Sequence, residues 1–256
     1  MLGLFAGIAT GLAGGFTSGL LGVSPGGGLV IFSVLLLGAE QHAAQGISLV
    51  AQIPPTSLAA IKRYWENGSR SPMRWLVVLA IGFVAGGVIG AYAASFASAR
   101  VLQWTYVVYL VVLDAMLILR RERKETDEVT TSPDLHWAAL LIVGLIAGLS
   151  SGFMGIGGGL ATVVGLSAVL RVPQHQAQMV SLVLSLIPTT IPSAWVYWQQ
   201  GWSSPWPVLA GVIIGLIVGN DIGARLANRV DRRTLHAMMV FFVSAMALYM
   251  AFKALS

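Results

Sequence analysis

The chain of 256 residues contains no cysteine. That excludes disulfides, thiolate metal sites and persulfide chemistry. Charge is almost as scarce: Asp, Glu, Lys and Arg make up 10% of the residues, against about 25% in soluble domains. Hydrophobic residues make up 56%. A water-facing fold cannot absorb so much apolar sequence, and the broad class is a polytopic membrane protein. The net charge of +5 does not point to nucleic acid, because the basic residues cluster in short loops between apolar runs, where positive-inside topology places them. No basic region precedes the apolar run that starts at Leu2 and no A-x-A pattern closes it, so it reads as a mature span rather than a signal peptide. No Ser-His-Asp set or carboxylate pair is visible, and neither His42 nor His175 has a ligand-spaced partner. No enzyme activity, cofactor or metal is therefore expected.

Glycine, by contrast, is abundant. Gly3, Gly7, Gly11, Gly15 and Gly19 recur every fourth residue, as do Gly82, Gly86 and Gly90; small residues at that spacing let a neighbouring helix approach closely. Two other stretches have no helical use: Gly26-Gly27-Gly28 and Gly157-Gly158-Gly159. Each glycine costs roughly 1 kcal/mol relative to alanine inside a helix, whereas a run of them opens backbone amides to close approach. Both read as breaks in membrane helices.

Ten segments follow from the apolar runs: 2–23, 27–38, 43–61, 75–96 and 101–119, then 137–156, 158–170, 176–198, 206–226 and 235–254. The second and seventh are about a dozen residues long, roughly 18 Å as helix, too short for a ~30 Å hydrocarbon core. They read as half-helices or re-entrant pieces. Pro54 and Pro55 interrupt the third segment, and Pro188 and Pro192 the eighth. The charged stretch 120–136 divides the chain into an N-terminal membrane repeat (1–119), a cytoplasmic linker (120–136) and a C-terminal membrane repeat (137–256).

A shift of 133 residues superimposes the halves. Gly11, Gly15 and Gly19 fall on Gly144, Gly148 and Gly152; Gln41 and His42 on Gln174 and His175; Gln45 and Ser48 on Gln178 and Ser181; Gly82, Gly86 and Gly90 on Gly215, Gly219 and Gly223. At the glycine triplets the register slips by two, as though Ser24 and Pro25 were inserted in the first copy. Equivalent loops differ in positive charge. Lys62, Arg63, Arg70 and Arg74 are matched by the uncharged stretch 199–205, and Arg100 by a region with Arg225, Arg229, Arg232 and Arg233. By the positive-inside rule the halves are inverted, five segments each, with both chain ends outside; short pieces that dip in and return on the same side would instead give four spans each and parallel halves, against which the charge pattern argues. The expected fold is all-α and polytopic.

Inverted repeats with broken helices bind their cargo near the bilayer midplane. Each glycine break opens a short helix whose free amides and positive dipole end suit an anion. Gln45, Ser48, Gln178 and Ser181 add neutral donors at matching positions. The candidate site is therefore Gly26, Gly27, Gly28, Gln45, Ser48, Gly157, Gly158, Gly159, Gln178 and Ser181. The competing reading gives the glycines to helix crossing and the Gln and Ser side chains to opened backbone. Elsewhere, Asp114 reads as reaching toward the basic end at Arg120 or as a proton relay. Asp221 and Arg225 read as a helix-end pair. His42 and His175 read as polar turns. Trp65, Trp75, Trp137, Trp198, Trp202 and Trp206 read as interfacial anchors.

The doubled turn, Gly19-Leu20-Leu21-Gly22 to Gly28 and Gly152-Phe153-Met154-Gly155 to Gly159, each followed by Gln-His-x-Ala-Gln-x-x-Ser-Leu, resembles the TauE/SafE family of sulfite exporters over nearly the whole chain. The resemblance implies a permease of a bacterial inner membrane for sulfite, sulfonates such as sulfoacetate, or related organic acids. It places functional weight on the glycine triplets and on Gln45, Ser48, Gln178 and Ser181. The expected function is secondary transport, with an anion channel or a non-transporting scaffold as alternatives. A small anion and the lipid bilayer are the expected partners, nucleic acid is not, and self-association is left open.

Overall fold

The computed structural model describes residues 2–21, 24–54, 73–119, 135–172, 174–185, 187–202, 204–227, 229 and 232–255. The loop that carries Lys62, Arg63, Trp65 and Arg70, and the linker with Arg120, lie outside the described residues, as do Gly22 and Val23. Every regular element among the described residues is helical. In chain order they are α1 (Leu2–Leu21), α2 (Gly26–Leu36), α3 (Gln41–Ala51), α4 (Met73–Phe96) and α5 (Ala99–Leu119), then α6 (Trp137–Met154), α7 (Gly159–Val164, running on as a π-helical turn over Gly165–Val169), α8 (Gln174–Leu184), α9 (Ile191–Gln199), α10 (Trp206–Ala227) and α11 (Arg232–Leu255).

The third segment of each half is not a continuous helix. The eighth expected segment, 176–198, is divided into α8 and α9. Pro188 removes an amide between them, and Pro192 sits in the first turn of α9, where a missing N–H costs no helical bond. Its counterpart α3 stops at Ala51, and residues 55–61 of that expected segment, Pro55 included, lie outside the described residues.

The element bounds also revise the register at the glycine triplets. Leu21 and Met154 end their helices 133 residues apart; Gly26 and Gly159, Gln41 and Gln174, Met73 and Trp206 open theirs at the same offset. No insertion is present. Ser24-Pro25-Gly26 stand opposite Gly157-Gly158-Gly159. Pro25 (φ −67°, ψ −16°) and Gly158 (φ −74°, ψ 9°) have nearly the same backbone conformation. Glycine identity misaligned the two copies; backbone shape aligns them.

Among the described residues, four helices are long and apolar enough to cross a bilayer: α1, α4, α6 and α10. They form two tight pairs, and in each pair one helix comes from each half. In α1 against α10, a Cβ on Gly7, Gly11, Gly15 or Gly19 would strike the backbone carbonyl of Val208, Val212, Leu216 or Asn220. In α4 against α6, Gly82, Gly86 and Gly90 meet the carbonyls of Leu141, Leu145 and Leu149 in the same way. Glycines of α10 and α6 face back onto α1 and α4. The four-residue glycine pattern thus brings backbone against backbone, the source of van der Waals cohesion where lipid offers no hydrophobic drive. Residue numbers rise together in both pairs, so the paired helices run parallel.

Trp137 and Trp206 are exposed at helix starts, as anchors should be. Trp75 is not: it is fully buried among Leu79, Leu140 and Leu166. Trp202 stacks on His42, with ring centroids 4.1 Å apart. His42 Nε2 lies 3.1 Å from the carbonyls of both Ala94 and Ala97, at the end of α4. The Asp221–Arg225 pair forms on α10 at 2.7 Å.

Candidate functional site

The two breaks meet. α1 ends at Leu21 and α2 sets off from Gly26; α6 ends at Met154 and α7 sets off from Gly159. Gly26 packs against the carbonyl of Ile156. Ser24 Oγ donates to Gln52 Oε1 at 3.0 Å and lies 3.2 Å from Ile156 O. Gly157 sits between Ser24 and Gln52, and Gly159 beside Ser24 and Ser181.

Gly155 closes α6 in the left-handed conformation (φ 69°), with its N–H on Ser151 O at 2.8 Å. This is the usual glycine stop signal for a helix. Such a stop leaves carbonyls facing the junction, and hydroxyls meet them. Ser48 Oγ donates to Gly155 O at 2.6 Å and lies 3.3 Å from Gly26 O. Gln52 Nε2 donates to Ser48 O at 3.0 Å. Tyr197 OH lies 3.0 Å from Gly152 O and 2.8 Å from Gln45 Oε1. Tyr106, on α5, donates to Gly27 O. Ser181 Oγ donates to Gly159 O at 3.0 Å, repeating at the 133-residue offset what Ser48 does at Gly26 O.

The amide side of each break is different. The first backbone bond of α2 runs from Leu29 N–H to Pro25 O, and that of α7 from Thr162 N–H to Gly158 O. The amides of Gly26, Gly27 and Gly28, and of Gly159, Leu160 and Ala161, precede those bonds. Neither Pro25 nor Gly158 supplies a side-chain cap. Each helix start carries roughly +0.5 of an elementary charge. Among the described residues, hydroxyls cover the carbonyl ends while no side chain caps the amide ends. Gln45 adds a donor: its side chain is fully buried against Gly155, its Oε1 is held by Tyr197, and its Nε2 has no partner among the described residues.

The expected site residues therefore take different places. Gly26, Gly157 and Gly159 line the junction, as do Gln45, Ser48 and Ser181. Gly27 contributes its carbonyl to Tyr106. Gly28 packs on Gly14 and Thr17, and Gly158 under the Phe83 ring. Gln178 is half-buried on α8, three residues before Ser181. Four participants were not singled out from the sequence: Ser24, Gln52, Tyr106 and Tyr197. Gln41, Gln45, Ser48 and Gln52 form one stripe on α3 at spacings of four and three, so Gln52 was reachable from the sequence by following that stripe one turn further. The two tyrosines lie in apolar helices and are brought in by tertiary packing alone.

A helical membrane protein with interrupted helices meeting in its interior has the architecture of a small-solute transporter. Comparison with known proteins gives the family. The model of the sulfite exporter TauE/SafE family matches residues 7–250, and the chain belongs to that family. It is also 30% identical over 191 residues to the probable membrane transporter protein YdhB of Bacillus subtilis (strain 168), covering 73% of this chain and 76% of that one. The protein is thus a multi-pass membrane transporter with a small-molecule substrate.

Proposed function

We propose that the protein is a secondary carrier, in a bacterial inner membrane, for small sulfur-containing anions such as sulfite or an organosulfonate like sulfoacetate. Its two halves are inverted repeats, and the junction of the breaks is exposed to each side in turn. The observation that carries this reading is the separation of polarity at the junction. The starts of α2 and α7 present amides, while Ser24, Ser48 and Tyr197 occupy the carbonyls.

The path of the chain supports the inversion. α9 runs alongside α4 and α6, with Ser193 at Gly87 and Tyr197 at Gly152. The chain then reverses, because Trp206 returns against Trp198 at 5.5 Å. Hence α10, with its parallel partner α1, runs opposite to α4 and α6. The first helices of the two halves, α1 and α6, are then antiparallel. In this reading Ser48 and Ser181 are scaffolding, and the glycine amides and the Gln45 amide hold the anion. A site without a fixed positive charge releases its cargo readily, as a carrier must.

The purified protein in liposomes is expected to give saturable sulfite or sulfonate flux with counterflow. Conductance without counterflow would make it a channel, and no flux at all a scaffold. Gln45→Ala is expected to raise the dissociation constant about tenfold or more, the worth of a hydrogen bond to a charged group. Sulfite should then raise the variant's own Tm in detergent by less than it raises that of wild type. Equal protection of variant and wild type would remove Gln45 from the site.

A further inference from the structure

Asp114 stands outside the junction and has no acidic counterpart: the residue at the 133-residue offset is Ala247. It stands fifteen residues into α5 and five before its last residue, Leu119, just past the apolar stretch Ala99–Val112. Its Oδ2 accepts from Ser244 of α11 at 2.5 Å, while its Oδ1 is shielded from solvent with no partner among the described residues. An ionised carboxylate with one oxygen bare in apolar surroundings is costly. An ionisable side chain kept inside a membrane span despite this cost marks an ion or proton pathway.

Two contacts connect this carboxyl to the rest of the molecule. α5 comes from the first half and α11 from the second, so the Asp114–Ser244 bond crosses between them. Asp114 also shares a helical face with Tyr106 and Leu110, at four-residue spacing, and Tyr106 donates to Gly27 O in the first break. α5 therefore carries a proton-binding group at one place and a contact with the anion junction two turns away. Among the described residues no ion pair reaches Asp114. α6 has no ionisable residue, and α3 has His42, which is engaged at the end of α4. α11 has Arg232 and Arg233 at one end and Lys253 near the other, with His236 and Tyr249 between. α5 itself has Arg100 at its start, and Tyr106 and Tyr109.

We propose that Asp114 carries the proton that drives anion movement, and that proton and anion cross in the same direction. The proton adds to Oδ1 from water on one side, making a neutral acid that still bonds Ser244, and returns to water on the other side. No other bond is made or broken. The arrangement that seals Oδ1 between α5 and α11 also closes the breaks on each other, so both ligands are occluded together. This rests on the carrier reading above.

The test uses the full chain in phosphatidylethanolamine–phosphatidylglycerol vesicles, with radiolabelled sulfite and an entrapped pH dye. Wild type is expected to show counterflow at equal pH, and to accumulate sulfite up to about tenfold for a one-unit pH step, acid outside, if one proton accompanies each anion. Asp114→Asn keeps the shape and a partner for Ser244 but cannot release a proton. It is expected to retain counterflow while losing accumulation and the coupled dye signal. Protonation of sulfite itself is the same for both proteins, so the difference belongs to Asp114. Accumulation by Asp114→Asn at the wild-type level, or wild-type accumulation against acid, would overturn the proposal. Absent wild-type counterflow would instead defeat the carrier reading. Should Asp114→Asn not fold, Ser244→Ala, which leaves the carboxyl but removes its partner, should shift the pH midpoint of accumulation; an unmoved midpoint would equally overturn it.

Discussion

Replacing Gly157 by alanine is expected to lower sulfite counterflow more than tenfold in a protein that still folds and inserts. The residue sits at φ +75°, and a Cβ there would overlap Gln52 Oε1 and Ser24 Oγ. A left-handed alanine costs roughly 1–2 kcal/mol, which alone does not unfold a protein. The overlap does the functional damage, because it drives Gln52 and Ser24 off the first break and parts the two helix starts. Gly201 provides the control. It has nearly the same conformation, φ +79°, but among the described residues no atom lies within 4 Å of the added Cβ. Gly201→Ala bears the same backbone strain and should transport like wild type. Counterflow rates of the two variants, normalised to reconstituted protein, check this; equal losses would assign the effect to strain.

The second large effect concerns assembly. Gly15→Leu and Gly148→Leu stand at equivalent positions of the two halves. Each places a branched side chain on a backbone carbonyl of the parallel partner, Leu216 O in one pair and Phe83 O in the other. Neither carbonyl can retreat without parting two spans. Each change is expected to cost about 3 kcal/mol or more, the upper range for overpacking, and to lower Tm in detergent by roughly 6–12 °C. The two losses should be of similar size, because the two interfaces are equivalent. A scanning fluorescence melt of each variant measures this; one tolerated and one destructive substitution would break the equivalence of the pairs.

The sequence made some of this legible and hid the rest, for physical reasons. Gly11, Gly15, Gly82 and Gly86 announced close helix pairs because a missing side chain at every fourth residue has one main use in a membrane. Their partners could not be read, since any glycine face fits any other; only the packing pairs α1 with α10 and α4 with α6. The second break was visible, but Gly26, Gly27 and Gly28 form the first turn of α2 rather than the break before it, and the alignment of the two was hidden. Three glycines matched three glycines by eye, while Pro25 and Gly158 share a backbone shape that letters do not record. Ser48 and Ser181 were found by their repetition, yet their hydroxyls serve carbonyls. Asp114 was expected to reach for Arg120 or to relay protons; its bond to Ser244 needed the α5–α11 contact to be seen.

The central claim is that the two breaks form one anion site. The absence of native cysteine lets a single engineered pair test it. An ideal Cβ on Gly159 lies 3.2 Å from that of Ser24, close to the roughly 3.5–4.5 Å that a disulfide spans. The protein with Ser24→Cys and Gly159→Cys should bridge on mild oxidation in the membrane, lose sulfite counterflow, and regain it on reduction. Counterflow at the reduced rate with the bridge intact, or two thiols that react with a small maleimide yet never join, would contradict the account.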